Sequence, residues 1–295
     1  VVLALYLLLP VALSGTYTAP LWQFITFTQN LEMRPGQTFT HSWSLCVEEQ
    51  FYLLFPLICI FALSKTSDAL RLWIILVAGF VAAILIRLIM FTNHEKSAID
   101  IMDYYEFIYY PSYSRFDELL PGIALAIIKN YHRSTFEKLL HYGNHFFAAG
   151  LISSGIVFYL FLNIHYQDGI GTSAWTTSIG YSLLAISFAL LVLAALSPSS
   201  WLYRCKIPGA ASLALWSYAI YLIHKPLYQL LKQPINNLGI STDDYLGMGI
   251  IVSISIIAGW ILFKMVETPF MNLRARLVPS NYRKKSCQPT GLARE

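Results

Sequence analysis

At 295 residues, 56% of them apolar and 12% charged, the chain carries about half the charge of a soluble domain, for which roughly 25% is usual. That balance, with a mean hydropathy of +0.55, excludes a water-soluble globular fold. The net charge of +4 is no nucleic-acid footprint, because the bases gather in alternate loops and not in one patch.

Apolar runs of membrane-spanning length, about 20 residues each, fall near 1–14, 49–64, 70–91, 114–130, 146–164, 174–196, 210–231 and 245–266. The bilayer core offers no water to backbone groups, so such runs are helices. The predicted fold class is all-α, a polytopic transmembrane helical bundle of about eight helices. The chain opens at Val1 inside the first run, with no basic n-region and no A-x-A-like cleavage site. That run is therefore read as a helix and not as a signal peptide, and the chain as a piece lacking its earlier part.

The second run is entered through Ser42-Trp43-Ser44-Leu45-Cys46-Val47-Glu48-Glu49-Gln50-Phe51-Tyr52. A helix N-cap explains one acid there, but not two carboxylates, a glutamine and an aromatic string. Arg87 sits in the outer half of the third run. The fourth opens on Ser114-Arg115-Phe116-Asp117-Glu118, followed by Leu119-Leu120-Pro121-Gly122. Arg115 and Asp117, two apart, can pair only where the chain is extended or turning. The seventh carries Tyr221, His224, Lys225 and Pro226, and the proline frees a carbonyl one turn earlier. Ionisable groups cost roughly 2.5–3.5 kcal/mol each at mid-membrane, so these few are the functional candidates.

Cys46, Cys59, Cys205 and Cys287 show neither zinc spacing nor a disulfide framework. His141 and His145 lie four apart in a polar loop, but two ligands without a third make no metal site; no metal is expected. Lysine and arginine mark cytoplasmic loops. Lys65/Arg71, Arg133/Lys138, Arg204/Lys206 and the tail Arg274 to Lys285 therefore fall inside. The base-poor loops 15–42, 92–113, 165–173 and 232–244 fall outside, and 92–113 is acidic (Glu95, Asp100, Asp103, Glu106). This orientation puts Glu48, Arg87, Arg115, Asp117 and His224 at similar depth, which predicts one polar cavity open to the outside.

At these residues the chain resembles the acyltransferase-3 family of multi-spanning membrane acyltransferases. The resemblance rests on Ser42-Trp43-Ser44-Leu45 with Val47-Glu48-Glu49-Gln50-Phe51-Tyr52 and Pro56, and on Arg115-Phe116-Asp117 leading to Pro121-Gly122. Ser217-Tyr218 with Tyr221-Leu222, His224 and Pro226, and Glu267-Thr268-Pro269-Phe270, complete it. It implies transfer of an acyl group, foremost acetyl, from acyl-CoA as co-substrate to a hydroxyl of a cell-surface polysaccharide or glycolipid. No bound cofactor and no nucleic-acid partner are expected, and membrane lipid surrounds the chain. Glu48, Arg115, Asp117 and His224 become the catalytic candidates, with Asp117 holding Arg115. Ser42, Trp43, Glu49, Gln50, Tyr52, Arg87 and Tyr221 become substrate-binding candidates. The resemblance further implies about ten helices in the intact protein, with two before Val1, the first bearing the transfer histidine. The domain would run over 1–272 with a basic cytoplasmic tail at 273–295, in a bacterial inner membrane. A glycolipid transporter or flippase is the rival that buried charges and a proline-broken helix also suit.

Overall fold

The structure, a computed structural model, describes residues 1–9, 12–13, 16, 19–63, 69–94, 101–167 and 171–277. Lys65, Glu95, Asp100, Cys287 and the tail beyond 277, all used in the orientation and cysteine readings, lie outside the described residues. The chain divides into two compact units, one over residues 3–208 and one from Gly209 onward.

The first unit begins with α1 (Val2–Leu8) and α2 (Leu21–Thr26), then α3 (Trp43–Leu63) and α4 (Ala69–His94). A short α5 (Ile101–Tyr104) runs into a π-helical turn, Tyr105–Tyr109. Two 3-10 turns, Ser112–Ser114 and Phe116–Leu119, precede α6 (Leu120–Tyr131) and α7 (Arg133–Leu140). The unit continues with α8 (Gly143–Asn163), a second π-helical turn (Thr176–Gly180), α9 (Tyr181–Leu196) and α10 (Trp201–Arg204). Between α8 and the π turn, β1 (Tyr166–Gln167) and β2 (Gly171–Thr172) form a two-strand antiparallel clasp with Tyr166 opposite Thr172. The second unit holds α11 (Ala210–Asn237), α12 (Tyr245–Leu262), a third π turn (Phe263–Glu267) and α13 (Thr268–Leu277).

Among the described residues five helical segments are long and apolar enough to cross a membrane: Thr40–Phe61, Ala69–Asn93, Gly143–Asn163, Thr176–Leu196 and Tyr245–Leu277. Only 17–33% of each is buried within the protein. Side chains such as Leu53, Ile60, Val77, Leu85, Ile152 and Val252 point outward, as they do where lipid is the solvent. The other three expected spans differ for identifiable reasons. α1 has 7 residues. The run at 114–130 is broken by the turns around Arg115, and Pro121 sits where a helix begins, so α6 keeps 12 residues. α11 has the length, 28 residues, but His224, Lys225, Gln229, Lys232 and Gln233 dilute its apolar face. The boundary expected at 273 falls inside α13, whose last turn carries Arg274 and Arg276, where the helix dipole favours cations.

α8 and α9 pack antiparallel, with Gly143 against Ser197, Gly150 against Leu191 and Gly180 against Phe161. In the second unit Gly259 of α12 meets Ile220 of α11. A methyl group there would stand 2.9 Å from the Ile220 Cα and 3.0 Å from its nitrogen, so neither helix can yield without separating. We therefore expect Gly259→Ala to destabilise this pair by about 1–3 kcal/mol, read as a lowered Tm in detergent. Gly249→Ala, with no atom within 4 Å of the new carbon, should leave Tm unchanged or raise it.

Candidate active site

The centre of the first unit is an ion pair with no exposure on either side. Arg87 of α4 meets Asp117 through Nη1–Oδ1 at 2.7 Å and Nη2–Oδ2 at 2.9 Å. Its Nε donates to the Ser178 carbonyl at 2.9 Å, Nη1 also to the Ser114 carbonyl at 2.6 Å, and Nη2 to Ser182 Oγ at 2.6 Å. Ser182 donates in turn to Asp117 Oδ2 at 2.5 Å. All five guanidinium N–H groups thus have an acceptor, the condition under which a charge survives burial. The second π turn makes this possible by directing the Ser178 carbonyl at Arg87 while Ser182, one turn on, faces the same centre.

The expected Arg115–Asp117 pairing is therefore replaced. Asp117 is committed to Arg87, and Arg115 turns the other way because the 3-10 turns bracket it. Its guanidinium lies 3.7 Å from the ring centre of Tyr181 and 4.9 Å from those of Trp43 and Tyr109. Its Nε is 3.0 Å from Glu118 Oε1, but misaligned, so the contact is an ion pair and not a hydrogen bond. Arg115 is 6% exposed, and none of its side-chain nitrogens donates an aligned hydrogen bond to a described residue. The π faces offset part of the desolvation, about 2 kcal/mol for a buried cation–π contact. They leave the donors unmet.

Arg115 and Glu118 line a cavity of about 600 Å³ whose other walls include Tyr104, Tyr109, His165 and Tyr181. The Tyr104 and Tyr181 hydroxyls share a hydrogen bond of 2.5 Å, and burial holds the Tyr104 phenol well above its ordinary value. His165 follows α8 at the mouth of the strand clasp. Its Nδ1 is 2.9 Å from Thr176 Oγ1, and its ring packs edge-on against Tyr104 and Phe161 at 5.1 Å each. Burial, and then the positive charge of Arg115, push its imidazole down from 6.5 to about 4.

The remaining sequence-derived candidates fall into three groups. Ser42 and Gln50 are occupied as braces. Ser42 donates to the Phe39 carbonyl at 2.7 Å and accepts from Gln29 at 3.1 Å. Gln50 donates to the Phe27 carbonyl at 2.6 Å and to Asn30 Oδ1 at 3.1 Å. Fully buried Asn30 ties this loop to the Tyr110 carbonyl and Ser112 at 3.0 and 2.8 Å. Glu48 is half-buried on α3, has no hydrogen-bond or ion-pair partner among the described residues, and is not among those lining the cavity. Glu49 is exposed, and Tyr52 is 58% exposed. Tyr221 and His224 belong to the second unit. There His224 donates through Nδ1 to the Tyr221 carbonyl at 2.6 Å. It lines a separate cavity of about 380 Å³ with Lys225, Tyr228 and Ser255.

Of the expected cluster, the structure brings together Arg87, Arg115 and Asp117, with Trp43 from the substrate-binding candidates beside Arg115, and leaves out Glu48 and, in the second unit, His224. Sequence reasoning missed Glu118 as a partner, the tyrosines, Ser182 and His165. Tyr104 and Tyr109 lie in a segment with no periodic signal, Tyr181 and Ser182 inside an apolar run, and His165 in a short polar connection with no motif. His141 closes α7 while His145 lies in the first turn of α8, so their spacing is not one helix face. No group of three or more metal-ligating side chains occurs among the described residues. Of the loop bases that mark the cytoplasmic side, Arg133 pairs with Glu137 at 3.0 Å and Arg204 donates to the Pro198 carbonyl at 3.0 Å.

Two measurements follow from this geometry. Asp117→Asn and Arg87→Met should each cost about 3–5 kcal/mol, because each strands a buried charge. A cycle completed with Arg87→Met/Asp117→Asn, followed by denaturation in detergent, should give a coupling of at least about 2 kcal/mol. His165 has a folded value below its unfolded one. The unfolded state therefore takes the proton first as pH falls. The contribution is fully kept above 6.5 and lost between 6.5 and about 4. Tm against pH should fall over that window, and His165→Asn should flatten the slope.

Comparison with known proteins gives a consistent result. A family profile described as an acyltransferase domain matches residues 1–265. A protein of Staphylococcus aureus strain MRSA252, named as a putative O-acetyltransferase, is 23% identical over 280 residues, covering 89% of this chain and 42% of the relative. The O-acetyltransferase OatA of Staphylococcus aureus strain COL is 24% identical over 195 residues, covering 63% of this chain and 29% of the relative. The chain thus spans about two fifths of the length of the first of these relatives. No solved structure matches it.

Proposed function

This chain belongs to the acyltransferase domain family, and on that premise we propose that it is the membrane-embedded part of an O-acyltransferase. In this reading it moves an acyl group, foremost acetyl, from acyl-CoA to a hydroxyl of a cell-surface polysaccharide or glycolipid. The observation that carries it is Arg115, a buried guanidinium without an aligned hydrogen-bond partner among the described residues, on the wall of a cavity of about 600 Å³.

Acyl transfer from a thioester needs a donor where negative charge develops on the carbonyl oxygen. Arg115 is such a donor, held in place before substrate arrives. Its ring contacts with Trp43, Tyr109 and Tyr181 fix the plane of the guanidinium without consuming its N–H groups. Arg87 and Asp117 act at one remove, since their network sets the turns from which Arg115 and Glu118 project. Glu48, half-buried and unpartnered among the described residues, orients a base or shares its proton. His224, in its own unit, serves as a second proton carrier or acceptor ligand. The protein sits in a bacterial inner membrane with its C-terminus in the cytoplasm, which the positive loops support.

Acetate incorporation into envelope polysaccharide by the full-length protein in cells tests this. Arg115→Ala should lose about 100-fold or more, the usual cost of an oxyanion donor, and Glu48→Gln and His224→Ala at least about tenfold. Membrane levels of each variant are followed in parallel. Undiminished transfer by all three would remove the catalytic reading. For topology, cysteine placed at Thr135 should react with impermeant reagent only from the cytoplasmic side, and cysteine at Asp243 only from outside.

A further inference from the structure

We propose that His165 is the group that receives the hydrogen bond of the acceptor hydroxyl in the Arg115 cavity, and that Thr176 fixes the tautomer it needs. The inference rests on reading that cavity as the acceptor site, and it assigns a residue that no motif in the chain points to.

The tautomer follows from a chain of hydrogen bonds. Thr176 Oγ1 donates its single proton to the Ser173 carbonyl at 3.1 Å. With that proton on the Ser173 carbonyl it has only a lone pair for His165, and Nδ1 is then the N–H donor across their 2.9 Å contact. A neutral imidazole protonated on Nδ1 carries its lone pair on Nε2. No described residue hydrogen-bonds to that Nε2. The backbone holds the same frame, since the Ser173 amide donates to the His165 carbonyl at 2.8 Å and the strand clasp closes the loop between them.

The cavity thereby presents two complementary elements. His165 offers an acceptor and no donor. Arg115 offers donors and no acceptor. A carboxylate or phosphate satisfies Arg115 but brings no proton to Nε2. An alcohol satisfies both, because its O–H donates to the imidazole while its oxygen accepts from a guanidinium. The aromatic walls, Tyr105 and Phe161 among them, suit the C–H faces of a sugar ring. The chemistry selected is therefore a neutral carbohydrate hydroxyl. A weakly basic imidazole in this place orients that hydroxyl on binding, and the hydrogen bond to Nε2 is given up when a stronger base takes the same proton during transfer.

The substitutions that discriminate follow from ring geometry. His165→Asn keeps an amide near the Nδ1 position, and so the Thr176 contact, but removes the Nε2 acceptor. His165→Gln carries an amide oxygen out to the Nε2 position. The assay uses the full-length protein in detergent, acetyl-CoA, and polysaccharide from the source organism's envelope stripped of acetyl groups with base. His165→Asn should raise the half-saturating polysaccharide concentration about tenfold, as expected for one lost hydrogen bond. The maximal rate should stay within about twofold, because binding before reaction is what is lost. His165→Gln should recover most of the tenfold. Thr176→Val, which keeps the histidine but frees its tautomer, should give an intermediate increase.

Absence of transfer by the unaltered protein would count against the proposed function itself. Transfer with half-saturation unchanged in His165→Asn and Thr176→Val would overturn the role of His165 alone. Equal impairment of the Asn and Gln variants would also overturn it, since the defect would then be one of packing.

Discussion

The first unit is organised around the burial of one guanidinium. Arg87 enters the apolar interior on α4, and a charge there costs several kcal/mol unless every donor is met. Asp117, Ser114, Ser178 and Ser182 meet all five. They come from the 112–117 turns, the second π turn and α9. Satisfying Arg87 therefore means assembling three remote segments in one register, and the 3-10 and π geometry in two of them is the backbone's response. Regular α-helix through 114–119 and 176–180 would not present the same carbonyls to the same point.

Arg115 inherits its position from that assembly. With Asp117 turned inward, Arg115 and Glu118 project from the other side of the same short turn. Tyr181, one residue from Ser182, supplies the nearest π face. The contrast between the two arginines is chemical as well as geometric. Arg87 has all five of its N–H groups met by protein acceptors. Arg115 is held by aromatic faces and an off-line carboxylate, and its N–H groups meet no aligned acceptor among the described residues. One charge is closed off by its partners and the other borders a cavity, though they lie only 28 residues apart in the chain.

The loop before α3 follows the same logic at lower cost. Gln29 bonds to Ser42, Gln50 to Asn30, and the set reaches nearby carbonyls, pinning the start of α3 so that Trp43 lies over Arg115. The polar string at 42–52 thus divides by helix face. One side braces the loop and one carries Trp43 to the Arg115 guanidinium, while Glu49 and Tyr52 face away. In the second unit the close approach of Gly259 to Ile220 sets α11 against α12, and His224 and Lys225 face a cavity of their own.

Much of this was legible from the residues in order. The membrane class, the helical fold and the main apolar segments follow from composition and run length, because lipid leaves an isolated chain no other way to satisfy its backbone. The importance of Arg87, Arg115 and Asp117 was legible too, since charges in apolar runs are rare for energetic reasons. Their partners were not. Spacing along the chain limits only near neighbours, and Asp117 chose an arginine 30 residues upstream over one two residues away. His165 illustrates the same limit more sharply. Nothing in its local sequence separates it from a loop histidine, and only the packing of α8, the second π turn and the 101–109 segment encloses it beside Arg115. Sequence determined which groups had to find partners. Tertiary structure decided which partners they found, because desolvation acts on neighbours in space.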